Sequence, residues 1–246
     1  MALKEEFERV GNWLFRWRSY LPLLLAGIIL TGMENFEYPG NSHYWDRIWE
    51  FICLSISFFG LVIRSYTIGH APKGTSERNT RSQEAESLNT TGMYSIVRHP
   101  LYLGNFFCWL GISMFPRVWL ISVIFILVFW LYYERIMFAE EEFLRRKFAE
   151  KYEKWANQTP AFFPRPRNWV PNVLPFSLRN VLKREYSGLF AVIVSFTFLE
   201  IIGDFFAEGE LELDPMWVAF FLGGMIVYLS LRTLKKKTSF LNVAGR

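Results

Sequence analysis

Two short groups of polar residues have the types and spacing that chemistry needs, in a chain that is otherwise strongly apolar. The first lies within residues 88–104, where a glycine turn precedes Tyr94, an Arg-His-Pro triplet and Tyr102. The second is the run of three glutamates at 140–142, about forty residues later. Ionisable side chains at the point where a chain enters a membrane are energetically costly, so they indicate a functional site.

The first group predicts an irregular approach to the N-terminus of a helix. Gly92 permits a turn, Pro100 suits the first turn of a helix, and the residue before a proline is pushed toward extended geometry. Helix N-termini carry unpaired N–H groups that favour a carboxylate or another anion, and His99 and Tyr102 can add donors. The alternative is an interfacial anchor, with Arg98 and Tyr102 reaching to lipid head groups.

The glutamate run lies early in a segment whose apolar residues recur at helical spacing. Glu140 is one helical turn from Ile136 and from Leu144, so it lies close to the apolar face. A carboxylate there can bind an ammonium, a pair of ribose hydroxyls or a sulfonium, although acids on such a helix are commonly just solvated. Arg135, about one turn earlier, can pair with an anionic substrate.

The composition indicates the architecture that must position these residues. Hydrophobic residues make up 52% of the chain and aromatic residues 19%, and several apolar runs are edged by Trp and Tyr. Because about 20 apolar residues cross a bilayer, the chain is predicted to be an integral membrane protein. We expect an all-α, polytopic membrane helix bundle with about six transmembrane helices, at residues 19–33, 48–68, 101–115, 119–133, 186–206 and 215–231.

Beyond residue 133 the apolar spacing predicts an amphipathic helix that leaves the fourth span and lies along the cytoplasmic membrane face. Bases dominate the two ends of the chain and the connector after this helix, whereas acids dominate the loops after the first and fifth spans. Since Lys and Arg stay on the cytoplasmic side, both termini are predicted to be cytoplasmic. Residues 70–98 and 134–185 then lie on the same side, so the two polar groups can meet.

Charge, cysteine and histidine usage argue against two classes of partner. The net charge of +4 is explained by the cytoplasmic bias of Lys and Arg rather than by a nucleic-acid partner. Cys53 and Cys108 fall within predicted spans, and the three histidines are scattered. Neither nucleic acid nor a metal is therefore expected, and no oligomeric state is predicted.

Specific residues carry a resemblance to a known family. R-H-P-L-Y-L-G at 98–104 is preceded by T-T-G-M-Y and followed by E-E-x-x-L-x-x-x-F-x-x-x-Y-x-x-W and a proline. This pattern resembles the isoprenylcysteine carboxyl methyltransferase and phospholipid methyltransferase family, over roughly residues 50–165. The resemblance implies a membrane-embedded enzyme that uses S-adenosylmethionine without a Rossmann domain, and the chain has no G-x-G-x-x-G. It implies a methyltransferase core at 1–185 and a C-terminal transmembrane hairpin at 186–246.

The resemblance also implies a set of site residues. Carried over by position, the S-adenosylmethionine contacts are Ser87, Leu88, Asn89, Tyr94, His99, Pro100, Leu101, Tyr102 and Glu140. Gln83 is a weaker candidate. The family places a substrate-facing arginine four residues before the first glutamate; here that position is Ile136, with Arg135 beside it. Ala149 stands where the family often has glycine.

Residues 70–100 resemble more closely a bacterial subgroup that methylates the 1-phosphate of lipid A, which implies a lipid substrate and the bacterial inner membrane. Guanidinium groups suit a phosphate. The basic residues that this interpretation would gather near the site are Arg64, Lys73, Arg78, Arg81, Arg98 and Arg135. An ionised phosphate oxygen needs no strong base, so the predicted catalytic contribution is orientation of the acceptor by Arg135 or Arg64.

Other functions remain open on the sequence alone. The same fold can methylate the carboxylate of a prenylcysteine-like substrate or the amine of phosphatidylethanolamine. A transporter, with Arg64, Glu200 and Asp204 along an ion path, is a hypothesis from another class. The absence of an internal repeat argues against it.

Overall fold

The computed structural model describes residues 2–18, 20–72, 74, 85–210 and 213–245. Lys73, Arg78, Arg81 and Gln83, which the sequence suggested as site residues, lie outside this described part. Within it the chain is helical and has no strand, in agreement with the predicted all-α class. The α-helices in chain order are α1 Leu3–Trp17, α2 Leu21–Thr31, α3 His43–His70, α4 Met93–Ile96, α5 Pro100–Met114, α6 Trp119–Gln158, α7 Leu178–Glu208 and α8 Pro215–Lys237.

Four of these helices are long and apolar enough to cross a membrane, namely α3, α6, α7 and α8 among the described residues. The first and third predicted spans correspond to α2 and α5, which have 11 and 15 residues and are shorter than a typical span. The protein is an integral membrane helix bundle. Because α7 is continuous across residue 185, the division into a core and a C-terminal hairpin stays a prediction.

Helix α1 is an element that the sequence did not predict. It is amphipathic and buries Gly11 and Phe15. Gly11 lies so close to α6 that a Cβ atom there would overlap the backbone oxygen of Arg135, so only glycine permits this approach. Lys4 adds an ion pair of 2.9 Å to Glu142 of α6. The N-terminal helix is thereby fixed beside the amphipathic half of α6.

Helix α6 confirms the predicted continuation of the fourth span. It runs for 40 residues, with an apolar first half and a charged, amphipathic second half. The helix is kinked at Ala149, which has φ 43° and ψ −121°. Residues other than glycine rarely adopt this backbone conformation. The kink directs the last turns of α6, with Tyr152 and Trp155, against Leu88.

Replacing Ala149 by glycine is expected to stabilise the protein by about 1 kcal/mol, because glycine removes the strain of a positive φ. Thermal unfolding of the purified protein in detergent would measure this gain. The matched control is Ala191→Gly, at an exposed position inside α7, which should cost up to about 1 kcal/mol. A less stable Ala149→Gly variant would contradict the observed kink.

Candidate active site

The segment before α5 is held by the connector that follows α6. The amide of Arg98 donates to the carbonyl of Pro160 at 2.8 Å, and the amide of His99 donates to that of Ala161 at 3.2 Å. His99 then caps α5, and Pro100 occupies its first turn, as the sequence predicts. The connector at 159–177 was expected only to link two helices. Its backbone instead fixes the Arg-His-Pro triplet.

The two polar groups meet in the folded chain. The hydroxyl of Tyr102 donates to Glu140 Oε1 at 2.6 Å. His99 Nε2 lies 3.0 Å from Glu141 Oε1, and its Nδ1 lies 3.6 Å from Glu140 Oε2. Arg98 Nε adds an ion pair of 3.1 Å to Glu141. The start of α5 and the middle of α6 are therefore joined by a short network of charged and polar side chains.

His99 is the most enclosed member of this network, with 7% of its surface exposed. Burial alone would lower its pKa. Hydrogen bonds to Glu140 and Glu141, together with their charges, outweigh burial and raise the pKa of His99 above 6.5. The imidazole therefore holds its proton more tightly in the folded protein than in the unfolded chain.

This shift predicts a pH-dependent contribution to stability. Since the pKa of His99 is raised on folding, the contribution is complete below about pH 6.5 and is lost as pH rises through the folded pKa. The difference in melting temperature between wild type and His99→Gln should thus be larger at about pH 6 than at about pH 9. A constant difference across this range would show that His99 is not protonated in the native network.

Glu142 does not join the other two glutamates. It faces α1 and accepts from Lys4 at 2.9 Å and from Arg145 at 2.8 Å. Glu141 enters the site although the sequence singled out Glu140 alone. Adjacent residues point about 100° apart around a helix. Glu140 and Glu141 can therefore both reach α5, whereas Glu142 points to another side of α6.

Arg18 and Tyr133 belong to the site but were not predicted. Arg18 follows α1 and places its guanidinium 4.0 Å from Glu140 Oε1 and 4.1 Å from the ring centre of Phe15. The ring of Tyr133 on α6 lies 4.7 Å from that of Tyr102. The sequence feature that could have identified Arg18 is the amphipathic pattern of residues 3–17, which predicts a helix ending next to it.

Arg64, predicted as catalytic, is a partly buried side chain on α3 that points to Glu185 of α7. Its Nε and Nη2 donate to the two carboxylate oxygens of Glu185, each at 2.7 Å. Its Nη1 donates to Asn105 Oδ1 at 2.5 Å, and Asn105 in turn donates to Tyr133 at 3.3 Å. Arg64 therefore connects to the Tyr102 side of the site through two intermediate side chains.

Arg135, the other predicted catalytic residue, faces α1. Its guanidinium lies 4.6 Å above the ring of Phe7. Ile136 beside it is fully buried in the core. The structure thus brings Arg18 rather than Arg135 next to Glu140, and the catalytic roles of Arg64 and Arg135 stay predictions.

Of the remaining predicted cofactor residues, Leu88 and Tyr94 contact the end of α6, and Pro100 and Leu101 lie in the first turn of α5. Leu88 packs against Tyr152 and Trp155, and the Trp155 indole donates to the carbonyl of Tyr94 at 2.8 Å. Asn89 Oδ1 accepts from a nearby backbone amide at 3.2 Å. Ser87 is exposed, Pro100 is buried and Leu101 is partly buried.

Comparisons with known proteins identify the family of the chain. A family model described as phospholipid methyltransferase matches residues 50–151. The protein-S-isoprenylcysteine O-methyltransferase of Schizosaccharomyces pombe is 31% identical over 164 residues, which are 60% of this chain and 67% of that protein. The nickel-cobalt-cadmium resistance protein NccN of Alcaligenes xylosoxydans xylosoxydans is 31% identical over 150 residues, 61% of this chain and 63% of the relative. No solved structure matches the chain.

The family matches and the four apolar helices together indicate a membrane-embedded methyltransferase. The chain belongs to the isoprenylcysteine carboxyl methyltransferase and phospholipid methyltransferase family. The match to NccN covers less than two thirds of the length of that protein. The predicted family is confirmed, and the choice of substrate is a separate question.

Proposed function

We propose that the protein transfers a methyl group from S-adenosylmethionine to an oxygen of an anionic lipid head group, with a lipid phosphate such as the 1-phosphate of lipid A as the acceptor. The proposal rests on two side-chain hydrogen bonds between α6 and the start of α5. One connects His99 with Glu141, and the other connects Tyr102 with Glu140. They place the two family motifs in one polar site where α6 changes from an apolar to an amphipathic helix.

The surroundings of the site favour a lipid substrate. Trp13, Trp17 and Tyr20 are exposed and form a row of rings with centres 6.1 and 5.2 Å apart. Exposed aromatic residues of this kind lie at the level of lipid head groups. Arg18 lies between the last two of them in sequence and beside Glu140. The head group of a bilayer lipid would therefore lie at the same depth as the site.

The residues present fit S-adenosylmethionine. Glu140, whose side chain is 23% exposed, can accept hydrogen bonds from an ammonium group or from ribose hydroxyls. The amides of Leu101 and Tyr102 fall in the first turn of α5, where helix geometry leaves donors for a carboxylate. When bound, the cofactor supplies an electrophilic methyl group on a sulfonium. The carried-over contacts at Ser87, Leu88, Asn89 and Tyr94 would complete its surroundings.

The protein's own contribution is positioning. A phosphate or carboxylate oxygen is already ionised near neutral pH, so the site needs no general base. Arg18 would orient the anionic acceptor, and Arg64 would support the site through Asn105 and Tyr133. A contact between Arg135 and the acceptor would require its guanidinium to leave the ring of Phe7. Correct alignment and exclusion of water then accelerate the transfer.

We further propose that the protein lies in a bacterial inner membrane, as the resemblance to the lipid A subgroup implies, with both termini in the cytoplasm, the orientation that the distribution of Lys and Arg favours. A carboxyl group of a prenylcysteine-like molecule is the second candidate acceptor. Similarity to protein-S-isoprenylcysteine O-methyltransferases favours it, and its anionic oxygen suits the same site. An amine acceptor is the third candidate, favoured by the match to the phospholipid methyltransferase model.

The test is a transfer assay with the purified, full-length protein in detergent micelles and S-adenosylmethionine labelled on its methyl group. Lipid A, a prenylcysteine and phosphatidylethanolamine are each offered as acceptors, and mass spectrometry locates the added methyl. We expect label on a lipid A phosphate, lost in Glu140→Gln and kept in Glu153→Gln, an exposed position on α6. Transfer to the amine or carboxylate alone would overturn the phosphate assignment, and no transfer to any acceptor would overturn the proposed function.

A further inference from the structure

A second buried polar cluster lies at the opposite end of the helix pair formed by α3 and α7. Asp46 and Glu50 are one turn apart on α3, and Glu200 faces them from α7. One carboxylate oxygen of each lies within 4.8 Å of the others. Arg64 and Glu185, which join the same two helices near the methyl-transfer site, are about 20 Å away along the helix axes. The cluster is thus separate from the proposed active site.

The oxygens of this cluster are buried without adequate partners. Asp46, Glu50 and Glu200 are 4%, 4% and 6% exposed. Glu50 Oε1 and Glu200 Oε2 are fully enclosed and have no hydrogen-bond partner among the described residues. A buried charged oxygen without a partner is costly, and such groups in native proteins commonly bind an ion. This feature distinguishes the cluster from a solvated acidic patch.

The positive charge within the cluster comes from Arg117, in the turn between α5 and α6. Its guanidinium forms an ion pair with Asp46 and lies 4.4 Å above the ring of Phe36. One guanidinium against three carboxylates leaves an excess of negative charge when all three are ionised. A divalent cation would compensate that excess and would provide a partner for the enclosed oxygens of Glu50 and Glu200.

The cluster is reached through an acidic cleft of about 470 Å³. Further acids line this cleft, and Tyr38 donates to two of them, Asp204 at 2.9 Å and Glu208 at 3.0 Å. Asp214 lies 3.8 Å from Arg47 at the start of α3. Acids outnumber Arg47 in the lining, and a cleft with an excess of one sign of charge concentrates ions of the opposite sign. A cation therefore has a path to the buried carboxylates.

We propose that Asp46, Glu50 and Glu200 bind one divalent cation at the end of the bundle opposite the methyl-transfer site. The three ligands are carboxylates, and oxygen ligands of this kind suit hard cations such as Ca²⁺, Mg²⁺ and Mn²⁺. The cleft leaves room for water in the remaining coordination positions. The bound cation would link α3 to α7 and, through Arg117, to the turn between α5 and α6.

Calorimetry with Mn²⁺ and with Ca²⁺ would test this proposal on the full-length protein in detergent after treatment with a chelator. We expect one saturable site per chain, and at least about tenfold weaker binding in Glu50→Gln and in Glu200→Gln. Glu208→Gln is the matched control, because Glu208 lines the same cleft outside the cluster. It should change the affinity by less than about threefold, a change of under 1 kcal/mol.

Thermal unfolding provides a second measurement that does not require a detectable heat of binding. At the same concentration, Mn²⁺ should raise the melting temperature of wild type more than that of Glu200→Gln. Without cation, Glu200→Gln should be at least as stable as wild type, since the substitution removes repulsion between buried carboxylates. A proton shared between Glu50 and Glu200 is the competing arrangement. No saturable binding of either cation would overturn the proposal. Stability that responds to pH and never to cations would also overturn it and would favour the shared proton.

Discussion

Replacing Glu140 by glutamine is expected to weaken the binding of S-adenosylmethionine at least about tenfold, since a hydrogen bond to a charged group contributes about 1.5–3 kcal/mol. Glutamine preserves the size of the side chain and can still accept from the hydroxyl of Tyr102, which lies 2.6 Å from Glu140. The variant therefore removes the negative charge with little change in packing. Because the lost charge also faces His99 and Arg18, cofactor affinity is compared at a temperature where both proteins are folded.

Isothermal titration of the purified protein with S-adenosylmethionine measures this effect. Glu153→Gln, exposed on the same helix, is the control and should bind like wild type. His99→Ala should also weaken binding, because it removes the group that joins Glu140 to Glu141. If Glu140→Gln binds the cofactor as tightly as wild type does, Glu140 does not contact it.

The second large effect is expected at the Arg64–Glu185 pair. Arg64→Ala would leave Glu185 buried without its main partner, and breaking a buried ion pair in this way costs about 3–5 kcal/mol. Both oxygens of Glu185 accept from Arg64 at 2.7 Å, and its side chain is 5% exposed. A marked fall in melting temperature should follow.

A double variant separates structure from catalysis at this position. Arg64→Leu combined with Glu185→Leu replaces both charges by apolar groups and should recover most of the lost stability, as such replacements are often neutral. If Arg64 supports the site only through Asn105, the double variant should retain methyl transfer within about tenfold of wild type. A folded but inactive double variant would instead place Arg64 in contact with the acceptor.

The sequence was sufficient to predict the long helices and the meeting of the two motifs. Apolar runs and amphipathic spacing are local properties, so α6 could be followed from its membrane span into its charged half. The distribution of bases placed residues 70–98 and 134–185 on one side. The two groups were therefore expected to be able to meet, and Tyr102 and Glu140 are in contact.

The partners that pack from other elements could not be predicted. Arg18 reaches the site because Gly11 lets α1 approach α6, a contact that depends on the absence of a single Cβ atom. Glu185 pairs with Arg64 across 121 residues of sequence. The backbone bond between Arg98 and the connector carries no side-chain signal. Such long-range contacts depend on tertiary packing and cannot be read from local patterns.

The acidic cluster at the other end of the bundle shows the same limit. The expectation that no metal binds rested on the scattered histidines and the placement of the cysteines. Asp46 and Glu50 are ordinary acids at the start of an apolar helix, and Glu200 follows 150 residues later in the chain. Only the packing of α3 against α7 brings the three carboxylates together.

Hydrogen exchange with and without S-adenosylhomocysteine, the demethylated form of the cofactor, tests the central claim most directly. We predict slower exchange in two separate peptides, covering residues 92–104 and 136–145, because both would border the bound ligand. Peptides around residues 46–50 should be unaffected. Protection confined to regions outside these two segments, or no protection at saturating ligand, would contradict the assignment of this site to the cofactor.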